Sequence, residues 1–399
     1  MNPSANALSG LPIVRPEEVG LSRAGLQRLT DVVHREIEAK RAPGASMLIA
    51  RHGKVAFSQT LGALAPDGPP MREDAIFRIY SMTKPIVSVA AMMLVEEGRL
   101  LLTDPLEKYV PAFGKAMVGV ENGDKLDLVP LKRSITIQDL LRHTSGLTYG
   151  FTGVSKVQQA VLAAAPMTQE KTAAEFVDSL AALPLRYQPG EAWEYGHSTE
   201  VLGRVIEVVS GQRLGDFLAD RLFEPLGMQD TAFYVPNAKL DRFAQPTSFD
   251  FFKAGGIDLI ESRQPPRCEY AGGGLVSTLG DYARFLGMVS SGGAFGGSRM
   301  LGSRTIAYMA SDHLGPHVLK AHPLLWPGHG FGLGFAVRTE TGVAPTIGSA
   351  GEFFWGGVAG TSFWVSPRDA LFAILLVQAP ENREFFRQLF RNLVNAAIV

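Results

Sequence analysis

The chain holds a single Ser-x-x-Lys, in Ser81-Met82-Thr83-Lys84-Pro85. It opens an apolar run over 86–95 that reads as a helix with Pro85 in its first turn. Positions three apart share a helical face, so the Lys84 amine can reach the Ser81 hydroxyl. Free N–H groups at a helix mouth also favour developing negative charge. Together these suit a nucleophile that accepts an acyl group. The plainer alternative is that Ser81 caps the helix and Lys84 is solvated. A lysine in the chemical role must manage protons near neutral pH, either by desolvation or by driving a nearby tyrosine toward phenolate. Tyr195 lies in Trp193-Glu194-Tyr195-Gly196-His197-Ser198, after the turn Gln188-Pro189-Gly190 and before a helix expected over 199–209. That setting suits the proton carrier, the alternative being a partly buried core ring.

Other chemistries fall away on inspection. Gly-x-Ser-x-Gly does not occur, which excludes the nucleophile elbow of α/β-hydrolases. Ser362, in Gly360-Thr361-Ser362, sits inside an expected strand and reads as structural. His313, His317 and His322 have the look of a metal cluster, but Gly315-Pro316 breaks any helix that would align the first two. A solvated loop is expected there, with no metal. No phosphate-cradling loop of Walker type is present, and no cofactor is expected.

The elements that must position these residues follow from periodicity. Residues 21–40 read as an amphipathic helix, with Leu26, Leu29, Val32 and Val33 at core spacing. Strands at 46–50 and 55–60 flank Arg51-His52-Gly53-Lys54, a hairpin signal. From 81 to about 240 most segments have helical periodicity, and Thr136 with Asp139 starts a helix at 137–143 as a capping box. Strand-like runs at 332–338, 360–366 and 370–377 precede a last helix at 381–397, with Phe385, Phe386, Leu389, Phe390 and Leu393 on one side. Strands at both ends and helices between them predict an α+β fold. Its sheet domain is formed by 1–76 and 240–399 and interrupted by a mostly helical domain at 77–239.

Lys and Arg total 38 against 39 Asp and Glu, a net charge of −1, which offers no footprint for a nucleic-acid backbone. With 46% hydrophobic and 19% charged residues the chain can bury a large core. The lone Cys268 permits no intramolecular disulfide. The longest apolar runs fall short of the roughly 18 residues of a membrane span, so no membrane partner is expected. No basic residue precedes Arg15 and no apolar stretch of signal length follows it, so a cytoplasmic address is expected.

Five segments in order carry a resemblance: Ser81-Met82-Thr83-Lys84, Leu140-Leu141-Arg142-His143-Thr144-Ser145-Gly146-Leu147, Tyr195-Gly196-His197, Ala271-Gly272-Gly273-Gly274-Leu275-Val276-Ser277-Thr278 and Trp355-Gly356-Gly357. They resemble the class-C β-lactamase/penicillin-binding-protein superfamily, and more closely its family VIII carboxylesterases, over roughly residues 15–395. The resemblance implies an antiparallel sheet flanked by terminal helices, with the active site in a cleft between sheet and helical parts. Ser81 is then the acylated nucleophile, Lys84 its partner, and Tyr195 the general base and later the acid. The backbone N–H groups of Ser81 and Val358 form the oxyanion hole. Trp355, Gly356 and Gly357 line the cleft, and Tyr149 lies near the pocket wall.

Two departures narrow the substrate that the resemblance implies. β-Lactamases of the superfamily carry Lys-Thr-Gly where this chain has Trp355-Gly356-Gly357, and an indole suits uncharged groups better than a carboxylate. His197 stands where they have Asn, able to bond an acyl carbonyl or to act as a pH-sensitive element. The expected activity is hydrolysis of short- to medium-chain carboxylic esters, the partner being a small-molecule ester. The alternatives are a β-lactamase or D-Ala-D-Ala peptidase, an acyltransferase acting on a small alcohol, and a catalytically silent binding protein.

Overall fold

The apolar run near the C-terminus becomes an interior strand of a seven-stranded antiparallel sheet. The computed structural model describes residues 9–164, 167, 170–248, 250, 261–320 and 322–399. The sheet strands are β1 (Gly44–Arg51), β2 (Lys54–Gly62), β3 (His329–Phe331), β4 (Ala336–Arg338), β5 (Phe353–Gly356), β6 (Ser362–Ser366) and β7 (Leu371–Val377). In space they run β3-β4-β5-β6-β7-β1-β2, so strands from distant parts of the chain pair at β7 and β1, Leu48 opposite Ile374. Every residue of β7 is buried, because both faces of the sheet are covered, and this is why the strand reads as an unbroken apolar run rather than an alternation. The helices used below are α1 (Arg23–Glu38), α2 (Thr83–Glu96), α3 (Ile137–Leu141), α4 (Ser198–Ser210), α5 (Leu279–Ser290) and α6 (Arg383–Asn395).

Alternate side chains of the sheet enter two different cores. Met47, Ile49, Ala373 and Leu375 join Leu26, Leu29 and Val33 of α1 and Phe386, Phe390 and Val394 of α6. Leu48, Ala50, Ile374 and Leu376 face the other way, into the larger core that holds α2 and α5. Helix α2 is buried on all sides from Thr83 to Leu94, so it is apolar around its whole circumference. The first hairpin turns through His52 and Gly53 with φ of 52° and 70°, the left-handed pair that a two-residue turn requires.

Two features differ from the periodicity. The stretch expected to be mostly helical contains an antiparallel ribbon, Met117–Asn122 with Lys125–Pro130, turning at Gly123 with φ of 56°. Its strands are largely exposed and carry no long apolar run, but the Asn122-Gly123 turn and the alternation of Lys125-Leu126-Asp127-Leu128 are readable signs. The sheet also gains β3 and β5, and the run at 332–338 is strand only from Ala336. Its first half is a tight turn closed by Gly332 N–H on Phe335 O at 2.7 Å. Residues 165, 166, 168 and 169 of the helical stretch, and the start of the chain at 1–8, lie outside the described residues. Among the described residues no helix is long and apolar enough to cross a membrane.

Candidate active site

Ser81 owes its position to a kink. Strand Ile76–Arg78, paired with Val276–Thr278, delivers the chain to Tyr80, which takes φ of 45°. A left-handed conformation costs a bulky residue roughly 1–2 kcal/mol and persists only where the surroundings impose it. One turn of 3-10 helix, Tyr80–Met82, then leads into α2. Between positions 75 and 94 every residue is buried except Ser81. The strained turn thus lifts one hydroxyl out of an otherwise closed core.

Two side chains converge on that hydroxyl. Tyr195 Oη lies 2.7 Å from Ser81 Oγ and Lys84 Nζ lies 3.5 Å from it. Lys84, only 1% exposed, also donates to Gly272 O at 2.7 Å and to Tyr149 Oη at 3.1 Å, which uses all three ammonium protons. Its charge sits 4.6 Å from the centroid of the Tyr195 ring. Trp355 Nε1–H donates to Tyr195 Oη at 3.3 Å. Negative charge on that phenolic oxygen would therefore face an indole donor and a nearby cation. A hydroxyl bonded to such an oxygen can lose its proton while attacking a carbonyl carbon.

Behind Lys84 stands a residue that the sequence reading missed. Glu200, on α4, accepts from Tyr149 Oη at 3.1 Å, so that ammonium, phenol and carboxylate form a buried chain. Burial raises the Glu200 carboxyl above its ordinary range, and Lys84 pulls it back. Burial, then the Glu200 charge, pushes the Tyr149 phenol well up, which keeps Tyr149 a neutral link. Glu200 comes five residues after Tyr195, but nothing in its spacing separates it from a solvated glutamate in the first turn of a helix. Glu200→Gln keeps an acceptor for Tyr149 and removes the charge. It is expected to lower kcat for ester hydrolysis about tenfold with KM little changed; equal kcat in steady-state assays would place the carboxylate outside the proton system.

The motif loops hold this arrangement by close approach. Burial alone would raise Asp139, but bonds from Arg133, the Thr136 N–H and Thr144 hold its carboxyl down to about 2, and it ties α3 to the loop bearing His143 to Leu147. In that loop Gly146 takes φ of 85°, and a Cβ there would lie 2.1 Å from Tyr187 O. A Cβ on Gly272 would stand 2.3 Å from Glu200 Oε1, so this glycine brings its carbonyl to Lys84 without displacing the carboxylate.

The expected site residues do not all reach the cavity. Ser81, Tyr149, Tyr195, Trp355, Gly356 and Val358 line one cavity of about 610 Å3. Gly357 is not on its wall; its bare Cα packs against the Ile79 carbonyl, where a Cβ would come within 2.4 Å. His197 is not on the wall either. It lies behind Tyr149, ring centroids 4.4 Å apart, and burial followed by the Lys84 charge lowers it to about 3. It is therefore neither placed to bond an acyl carbonyl nor charged at physiological pH, because α4 starts at Ser198 and carries its N-cap away from the cavity. His322 is not in a solvated loop: it is buried against Tyr195 and Trp193, and burial lowers it to about 4. His313 bonds Gln138 and Tyr308 O, and among the described residues no group of His, Cys, Asp and Glu could hold a metal ion.

Much of the rest of the wall is aromatic and apolar, from Phe151, Leu325, Trp326, Phe354, Phe363 and Trp364, while α6 closes one side with the polar groups of Arg383, Glu384, Arg387, Gln388 and Arg391. A beta-lactamase family model matches residues 29–398. Protein Rv1367c of Mycobacterium tuberculosis is 36% identical over 321 residues, covering 78% of this chain and 79% of its own. Esterase EstB of Burkholderia gladioli is 30% identical over 385 residues, 90% of this chain and 92% of its own. Among solved structures EstCE1, described as a hydrolase with promiscuous acyltransferase activity, superposes with a TM-score of 0.79 at 25% identity, covering 93% of this chain and 98% of its own. The chain belongs to the beta-lactamase family, in its family VIII esterase branch, and is a serine hydrolase.

Proposed function

We propose that the protein hydrolyses carboxylic esters of small, uncharged molecules, with short- to medium-chain acyl groups, through an acyl-enzyme on Ser81. The observation that carries this reading is the 2.7 Å contact of Ser81 with Tyr195, inside a cavity whose strand β5 presents an indole in place of a cation. Tyr195 takes the proton of Ser81 as the hydroxyl attacks and returns it to the leaving alcohol; Lys84, 4.6 Å from the Tyr195 ring and 3.5 Å from Ser81 Oγ, places positive charge beside the oxygen that gives up the proton. The N–H groups of Ser81 and Val358 receive the tetrahedral oxyanion. Water then attacks the acyl-enzyme and gives its proton to Tyr195, which passes it to Ser81 Oγ as the acyl–oxygen bond breaks and the carboxylic acid leaves.

Trp355 supports the choice of substrate. Its only donor is engaged with Tyr195, so toward the cavity it offers apolar ring surface and no charge for a β-lactam carboxylate. A cavity of about 610 Å3 also leaves room for an alcohol other than water. Acyl transfer to such an alcohol is the second reading, consistent with what is described for EstCE1.

The test is hydrolysis of p-nitrophenyl acetate, butyrate and octanoate beside nitrocefin, by the wild type and Ser81→Ala. Ester cleavage at least about 100-fold faster than nitrocefin turnover, on a kcat/KM basis, is expected. Rapid nitrocefin hydrolysis would overturn the esterase reading in favour of a β-lactamase. Addition of 1-butanol would reveal acyl transfer as butyl ester formed at the expense of free acid.

A further inference from the structure

The side of the cavity closed by α6 holds a device with a chemical consequence. Arg387 is anchored by Glu384 Oε1, 2.7 Å from its Nη1. Its Nη2 donates to Gly357 O and, at 3.4 Å, to Thr361 O. The turn 357–360 follows β5, closed by Gly360 N–H on Gly357 O at 2.9 Å and by Gly357 N–H on Thr361 O at 2.8 Å. Thr361 Oγ1 in turn donates to Ile79 O at 3.3 Å, two residues before Ser81. Thus Arg387 grips the carbonyls of a turn that is tied to the segment carrying the nucleophile.

The carbonyl of Gly357 and the N–H of Val358 belong to one peptide unit. Among the described residues no peptide bond is cis, and in a planar trans unit the C=O and N–H point in opposite directions. Holding Gly357 O toward α6 therefore aims Val358 N–H the other way. A charged donor on the carbonyl also polarises the amide and strengthens its N–H as a donor. The bare Cα of Gly356 makes room for this contact: a Cβ there would stand 2.7 Å from Arg387 Nη2 and 2.8 Å from Thr361 O. Gly356 and Gly357 thus have separate duties, one admitting the guanidinium and the other admitting Ile79 O.

We infer that Arg387 is a positioning residue for the oxyanion hole, acting through the Gly357–Val358 peptide, an assignment that rests on the Ser81 acyl-enzyme reading. Its hydrogen bonds go to Glu384, Gly357 O and Thr361 O and not to Ser81, so it sets the direction and strength of one backbone donor. Such a donor acts on the transition state more than on the bound ester, so its loss appears in kcat and not in KM.

The experiment compares wild type, Ser81→Ala, Arg387→Met and Arg387→Lys in p-nitrophenyl butyrate kinetics, thermal unfolding, and the rate of Ser81 labelling by a fluorophosphonate. Removing an oxyanion donor outright costs about 100- to 1000-fold in comparable sites, so a misaimed one is expected to cost about 10- to 100-fold. Arg387→Met should lose that much kcat and a similar factor in labelling rate, with KM within about threefold. Arg387→Lys, which keeps a charged donor for Gly357 O, should recover most of the loss. Arg387→Met within threefold of wild-type kcat, or a loss confined to KM, overturns the assignment while Ser81→Ala remains dead and the acyl-enzyme reading stands. A loss equal in the Met and Lys variants and accompanied by a lowered unfolding midpoint also overturns it, as a structural effect. Should Arg387→Met not fold, Arg387→Gln is judged by the same criteria. An active Ser81→Ala, or an inactive and unlabelled wild type, removes the acyl-enzyme reading and this inference with it.

Discussion

Ser81→Ala is expected to abolish ester turnover, by about 10^4-fold or more in kcat, and to leave the fold intact. The chemical loss is complete because, of the hydroxyls that line the cavity, Ser81 is the one bonded to Tyr195 Oη, and Ser362, Thr152 and Thr346 have no such proton acceptor. The structural loss is small because Ser81 alone escapes burial between positions 75 and 94. Its Oγ supports no backbone group, and Tyr195 Oη keeps its bond from Trp355 Nε1. The unfolding midpoint should therefore stay near that of the wild type. Intact-protein mass after incubation with a p-nitrophenyl ester provides the direct check: an acyl adduct on the wild type and none on the mutant. An adduct that persists in Ser81→Ala would place the nucleophile elsewhere.

The second large effect concerns the proton carriers. Tyr195→Phe and Lys84→Met are each expected to lower kcat about 100-fold or more, and the double variant scarcely further. The reason is geometric. Lys84 acts on the Ser81 proton chiefly through Tyr195, whose ring lies 4.6 Å from the ammonium while its oxygen lies 2.7 Å from Ser81. Once either member is gone the other has little left to do. Additive losses in a double-mutant cycle would mean that the two work separately.

Lys84→Met also carries a stability cost, because Glu200 is left buried without a cation. The two meet only through Tyr149 Oη, and the Glu200 carboxyl that burial already raises can take up a proton, so the cost is smaller than that of breaking a direct buried ion pair. Adding Glu200→Gln should restore much of the unfolding midpoint but none of the activity. A Lys84→Met/Glu200→Gln variant that regained turnover would show that Lys84 serves folding alone.

What could be read from the chain beforehand was what depends on local spacing. Ser81 and Lys84 are three residues apart on one helix, so their proximity needs only helical geometry. The apolar runs of β7 and α2 and the phenylalanine face of α6 follow from periodicity, since each side chain's burial depends on its own element. Tyr195 was readable as a candidate by its turn setting, but not as the partner of Ser81, 114 residues away. The resemblance supplied that pairing, together with Val358 and Trp355.

Glu200, His197 and Arg387 mark the limit of such reading. Glu200 and His197 lie three residues apart around the start of α4, one beside Tyr149 in the proton network and one behind it, because the helix is rotated to pack against Tyr149 and Phe176. Arg387 lies on the flank of α6 beside its buried face, three residues before Phe390, a place where periodicity alone leaves an arginine to solvent. That flank becomes a wall of the cavity only because the helix crosses the end of β5. The sequence by itself determined the Ser81–Lys84 pair proposed as nucleophile and partner, the α+β character and the absence of a cation at position 355, since these rest on residue identity and short-range geometry. The tertiary structure alone decided which polar side chains share the cavity, which are sealed behind it, and which way the Gly357–Val358 peptide points. Those depend on the relative placement of elements distant in the chain, set by packing over two cores rather than by any local pattern.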